Sequence, residues 1–139
     1  MTEAAEAQID ELIRAAYEKA AAKGVLPGGC ELGGTIEAIK DPSFGDYACS
    51  YAMAAARSMK TAPRKIAEAL TGELTLDGTY FKEVSVAGPG FINFRLSDKW
   101  YWDVLRAVEQ EGAQYGCSNL GKGKKVMVEF VSANPTGPM

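Results

Sequence analysis

The sequence contains no histidine. That removes the commonest general base, any Ser–His or Cys–His nucleophile pair, and the commonest zinc ligand. Cysteine is scarce: Cys30, Cys49 and Cys117 are scattered and odd in number. They fit neither a disulfide framework nor a metal-ligand spacing, so free thiols of a reducing cytoplasm are expected. No apolar run approaches the roughly 20 residues that a membrane-spanning helix needs. The N-terminus, MTEAAEAQIDE, is acidic and lacks the apolar stretch of a signal peptide. The glycine-rich stretch PGGCELGG (27–34) has neither a GxGxxG pattern nor a Lys-Ser/Thr ending, so it reads as a loop and not a phosphate cradle. A global basic surplus, which would point to nonspecific nucleic-acid binding, is also missing, because the net charge is −3. No catalytic residue and no metal site are expected in this chain, and neither a membrane nor DNA is expected among its partners.

What is present suffices for one core. The 139 residues are 47% apolar and 24% charged, which fits one domain or one domain plus part of another. The acid excess lies in residues 1–46, and the remainder is slightly basic. The bases cluster as Arg57, Lys60, Arg64 and Lys65, and as Lys122, Lys124 and Lys125; from charge alone both clusters read as solvated faces.

Ile9, Leu12, Ile13, Ala16 and Ala20 recur at helical spacing, predicting a helix over 3–23 that Thr2 caps and Gly24 ends. TIEAIK (35–40) reads as a short strand. Residues 41–60 read as a turn and then a helix, with Asp46 as N-cap and Ala48, Tyr51, Ala52, Ala55 and Met59 as its apolar face. Pro63 opens a third helix with Ile66, Ala67 and Leu70 on its core face and Gly72 as its stop. A fourth helix starts after Ser97, with Tyr101, Val104, Leu105 and Val108 as its stripe.

Between the third and fourth helices, two alternating runs joined by Gly88-Pro89-Gly90 predict a β-hairpin over 79–97. The glycines of AGPG serve the turn. Period two sends Ile92, Phe94 and Leu96 inward and puts Phe91, Asn93 and Arg95 together on the other face. An aromatic to stack on an unpaired base, an amide to read its edge and a cation for a phosphate are what single-stranded RNA loops require. The pattern leaves a second reading open, in which a helix covers that face and backbone satisfies Asn93.

Near the end, VMVEFV is almost continuously apolar, like a strand buried on both faces of a parallel sheet. It therefore belongs to a different sheet from the alternating hairpin. Glu129 is the one charge inside it and needs a cation or the strand's open end; an edge strand with Glu129 on its solvent side is the other reading. Asn134 lies just past the end of that strand, where ligands of doubly wound domains sit.

VEFVSANPTGP resembles the segment that opens the catalytic domain of the arginyl-tRNA synthetases, the class I family in which a His-x-Gly-His motif follows at once. DPSFGDYA, the AM at 52–53, Pro63, the IA at 66–67 and AGPGFINF (87–94) resemble that family's N-terminal domain in the same order. The resemblance covers most of residues 35–139 and implies that the chain is the N-terminal part of a longer enzyme.

The fold it implies is α+β: an antiparallel sheet packed with helices, plus a C-terminal strand of a truncated Rossmann-type catalytic domain. The implied division is a tRNA-recognition domain over 1–115, a linker over 116–124 and the first catalytic strand and turn over 125–139. The family's N-terminal domain touches the outer corner of tRNA and reads a D-loop base with an aromatic and an amide at the positions of Phe91 and Asn93. Many members have Tyr where this chain has Phe91. Arg95 is expected to contact a phosphate. Glu129, Ser132 and Asn134 match residues that line the family's arginine pocket.

The implied activity of the whole enzyme is to join arginine to arginine tRNA with ATP and Mg²⁺ in the cytoplasm. This chain alone is expected to be inactive, with no cofactor of its own. It is also expected to leave VMVEFV disordered or paired with a neighbouring chain. Two rival readings remain: a stand-alone α+β protein-interaction domain using the 83–96 hairpin face, and a nucleotide-binding enzyme.

Overall fold

The computed structural model describes residues 2–130. Helix α1 spans Thr2–Ala22, and Ala5, Ile9, Ile13, Ala16 and Ala20 on one face are buried. Their spacing of three or four residues makes a continuous stripe, which packs mainly on the third helix. Strand β1 (Ile36–Ala38) is followed by a 3-10 turn over Pro42–Phe44 and strand β2 (Tyr47–Cys49). Helices α2 (Tyr51–Met59) and α3 (Pro63–Glu73) come next, then strands β3 (Phe81–Ala87) and β4 (Phe91–Leu96) and helix α4 (Asp98–Glu111).

The four strands form one antiparallel sheet in the order β1-β2-β4-β3. Tyr47, Cys49, Ile92, Phe94 and Leu96 are buried on one face, beneath α1, α2 and α3. Phe81 meets Phe94 edge-on at 5.1 Å between ring centroids, a favourable aromatic geometry at the centre of this layer. The α+β expectation and the inward set of the hairpin are therefore met.

Three local readings differ. The stretch 46–49 is not the start of a helix. It forms β2, with Tyr47 and Cys49 inward and Ala48 on the opposite face. Asp46 caps nothing: its Oδ2 accepts the Leu96 backbone N–H at 2.8 Å, and its own N–H donates to the Phe94 carbonyl at 2.8 Å. Ser50 takes the N-cap position of α2, although its hydroxyl accepts the Thr35 backbone N–H at 2.8 Å instead of capping. Helix α3 runs through Gly72 to Glu73.

Helix α4 forms after Ser97 as expected, but none of its residues is buried, and Tyr101, Leu105 and Val108 face solvent. An amphipathic stripe shows that a face needs cover; it does not show that the same chain supplies it. Residues 126–130 are neither helix nor strand among the described residues. Val126, Met127, Val128 and Phe130 are exposed, so the strand read from VMVEFV is not part of this sheet.

Candidate nucleic-acid interface

The outer face of the sheet carries Phe91, Asn93 and Arg95 side by side. Register fixes their neighbours: Asn93 lies between Ala48 of β2 and Ser85 of β3, Phe91 faces Ala87, and Arg95 faces Glu83. Two shallow hollows, each of about 250 Å³, open on this face. One is lined by Ile39, Phe44, Ala48, Ala87, Phe91 and Asn93. The other includes Ser43, Phe44, Glu83, Ser85, Asn93 and Arg95. No residue of an α-helix lines either of them, so the reading in which a helix covers this face does not hold among the described residues.

Asn93 is the floor the two hollows share. It is only 6% exposed, and its Oδ1 has no hydrogen-bond partner. Backbone therefore does not satisfy that oxygen. A buried acceptor left unpaired costs about 1–3 kcal/mol, which a ligand's donor can recover. Phe91 stands at the rim and is 36% exposed. A flat aromatic beside a recessed amide suits a planar ligand with a polar edge.

Arg95 is more occupied than the sequence suggests. Its Nη1 donates to the Pro42 carbonyl and its Nη2 to the Ser43 carbonyl, both at 3.2 Å. Its Nε sits 3.3 Å from Glu83 Oε2. One N–H on each terminal nitrogen remains.

Phe44 is the residue of this face that sequence reasoning missed. Phe44 is 59% exposed, yet the turn that carries it is held by several hydrogen bonds. Asp41 Oδ1 accepts the Ser43 N–H at 2.9 Å, and hydrogen bonds from Ser43 hold the Asp41 carboxyl below its ordinary range. Gly45 follows with φ +116°, where a Cβ would lie 2.9 Å from the Phe94 carbonyl oxygen, so only glycine lets the turn lie flat on β4. The signal was the Asp-Pro-Ser turn ahead of Phe44 and the glycine behind it, which read only as a connection.

The second expected set is not brought together. Glu129 is exposed in an irregular segment, and Ser132 and Asn134 lie outside the described residues. Of the basic clusters, Arg64 pairs with Glu68 at 3.0 Å and donates to the Gly88 carbonyl at 3.2 Å, which ties α3 to the hairpin turn. Among the described residues no group of three or more His, Cys, Asp or Glu is placed to hold a metal ion. No helix among them is long and apolar enough to cross a membrane.

Comparison with known proteins agrees with this architecture. The arginyl tRNA synthetase N terminal domain family matches residues 7–96. An arginine–tRNA ligase of Acetivibrio thermocellus is 44% identical over 132 residues, covering 95% of this chain and 23% of that protein. One from Herminiimonas arsenicoxydans is 46% identical over 145 residues, covering 100% of this chain and 24% of that protein. The chain thus spans about a quarter of the length of the curated relatives it matches. In fold it is similar to the arginyl-tRNA synthetase of Plasmodium falciparum, with a TM-score of 0.57 at 18% identity over 74% of this chain and 18% of that one. It is also similar to that of Thermus thermophilus, with a TM-score of 0.51 at 25% identity over 74% of this chain and 15% of that one. On the match over residues 7–96, the chain belongs to the arginyl-tRNA synthetase N-terminal domain family.

Proposed function

We propose that this chain is the tRNA-recognition part of an arginine–tRNA ligase, and that the outer face of its sheet reads a D-loop base at the outer corner of arginine tRNA. The observation that carries the reading is Asn93: a recessed amide with an unpaired Oδ1 between two hollows, beside the exposed ring of Phe91. Phe91 stacks on the base and Asn93 hydrogen-bonds its edge. The free N–H groups of Arg95 suit a phosphate of the same loop. Phe91 keeps the stacking surface of a tyrosine at this position without its hydroxyl, so it reads the base by its ring alone.

In the whole protein, residues 1–115 form the recognition domain, 116–124 the linker and 125–139 the opening strand of a Rossmann-type catalytic domain. Glu129, Ser132 and Asn134 contribute there to the arginine pocket. ATP and Mg²⁺ serve arginine activation in that longer protein. No residues among those described fit either group, since there is no phosphate-binding glycine loop and no acidic cluster. This chain alone, which spans about a quarter of the length of its arginine–tRNA ligase relatives, is expected to be inactive in aminoacylation. The three free cysteines are consistent with a cytoplasmic protein.

The rival reading is a protein partner docked on residues 83–96. Salt separates the two, because phosphate contacts make RNA binding fall steeply with added salt, whereas apolar docking does not. The test is titration of the chain with arginine tRNA transcript at low salt, beside Phe91→Ala. Salt-sensitive binding that Phe91→Ala weakens by about 1–3 kcal/mol is expected. Binding that the variant leaves unchanged, or no binding at all, overturns the reading.

A further inference from the structure

We infer that the base site has a second aromatic wall, Phe44, and that Arg95 acts as the positioning residue that holds this wall in place. The inference rests on the proposed base-reading role of this face and deepens it. Phe44, Ala87 and Asn93 are common to both hollows, and Phe91 joins them in the lining of the apolar one. A planar ligand seated over Asn93 in the apolar hollow therefore meets both aromatic residues. The occupant this fits is an unpaired nucleobase of an RNA loop. It has two apolar faces for the two rings and a polar edge for the buried Asn93 Oδ1, which has no partner of its own.

An aromatic residue 59% exposed on a loop ordinarily has freedom to move away. Here every residue around Phe44 is tied to β4 or to its own turn. Asp46 bonds the backbone of Phe94 and Leu96, Gly45 lies against the Phe94 carbonyl, and Arg95 bridges the carbonyls of Pro42 and Ser43 while pairing with Glu83. A guanidinium spreads five N–H donors over a broad planar fork, whereas the three donors of an ammonium radiate from one compact nitrogen. The nearby Glu83 carboxylate also offsets the charge that Arg95 would offer a phosphate, so its stronger contribution is to the turn.

The experiment is a set of Kd measurements on the 139-residue chain with arginine tRNA transcript at several salt concentrations. The variants are Phe44→Ala, Phe44→Tyr, Arg95→Lys, Phe91→Ala and the double variant Phe44→Ala/Arg95→Lys. Phe44→Ala is expected to raise Kd roughly five- to hundredfold, the span of one base–aromatic stack, and Phe44→Tyr to restore it. Arg95→Lys, which keeps the charge, is expected to weaken binding without changing the salt slope. It should add little on top of Phe44→Ala, because the two act through one ring.

If Phe91→Ala weakens binding and Phe44→Ala does not, the second wall is wrong while the base-reading role stands. If neither weakens it, the base-reading role itself fails. If Arg95→Lys binds like wild type, or if its effect adds fully to that of Phe44→Ala, the positioning role is wrong.

Discussion

The Asp46 carboxylate accepts the backbone N–H of Leu96 at 2.8 Å, tying the turn that carries Phe44 to the strand that carries Asn93. The same residue donates its own N–H to the Phe94 carbonyl, and its carbonyl accepts the N–H of Ile39. Asp46 thus joins β1, the turn and β4. Together with the bonds from Arg95 to the Pro42 and Ser43 carbonyls, this joint holds the turn over the open face of the sheet.

Removing that carboxylate leaves the part-buried Leu96 N–H without an acceptor. Asp46→Ala is expected to lower stability by about 1–3 kcal/mol, and Asp46→Asn, which keeps an acceptor oxygen, by less. Urea denaturation of the three proteins checks this. Equal midpoints would show that the N–H finds another partner.

The alkaline limb of stability has two identifiable sources. Burial first, and then the hydrogen bond to Asp10, pushes the Tyr51 phenol from 10.0 up to about 12. Burial pushes the Cys49 thiol from 9.0 up to about 11. A raised pKa means that the folded state holds the proton more tightly. The stabilisation is therefore complete below the unfolded values and is lost as pH rises through the folded ones. Tyr51→Phe is expected to flatten the decline between about pH 10 and 12, read from urea midpoints across that range. An unchanged slope would contradict the assignment. At the acid end the sign reverses for Asp10, whose carboxyl is held low chiefly by its hydrogen bond to Arg14, so its contribution is lost as pH falls.

The exposed stripe of α4 makes a sharp contrast with the core. Leu105 is 57% exposed, and Phe94 is fully buried. Leu105→Lys is expected to change the stability of this chain by no more than about 0.5 kcal/mol, and Phe94→Ala to cost about 3–5 kcal/mol. Thermal or urea unfolding distinguishes the two readily. A large loss for Leu105→Lys would mean that this stripe of α4, and not only Trp100 at its start, packs on the domain.

Where one residue type repeats at one period, the fold was legible in the sequence. The α1 stripe, the Ile66, Ala67 and Leu70 face of α3 and the alternation of β4 all follow from periodicity, and so does the grouping of Phe91 with Asn93 and Arg95. Strand β2 was not legible, because three residues give only one alternation and the alanines after them favour helix. Whether the outer face is open or covered was not legible either, since periodicity fixes which side a residue faces and not what lies there. Phe44 was missed for a different reason. Its role comes from contacts across the chain, Arg95 to the Pro42 and Ser43 carbonyls and Asp46 to Leu96, and none of these has a local pattern.

The most direct test of the central claim follows the side-chain amide of Asn93. Its NMR signal, assigned by loss in Asn93→Ala, is recorded as arginine tRNA transcript is added, and again with a transcript lacking the D-loop base. The account predicts that the signal shifts with the intact transcript and stays in place with the one lacking the base. A signal that ignores both transcripts, or moves equally with both, would contradict the assignment of this face as a base-reading site.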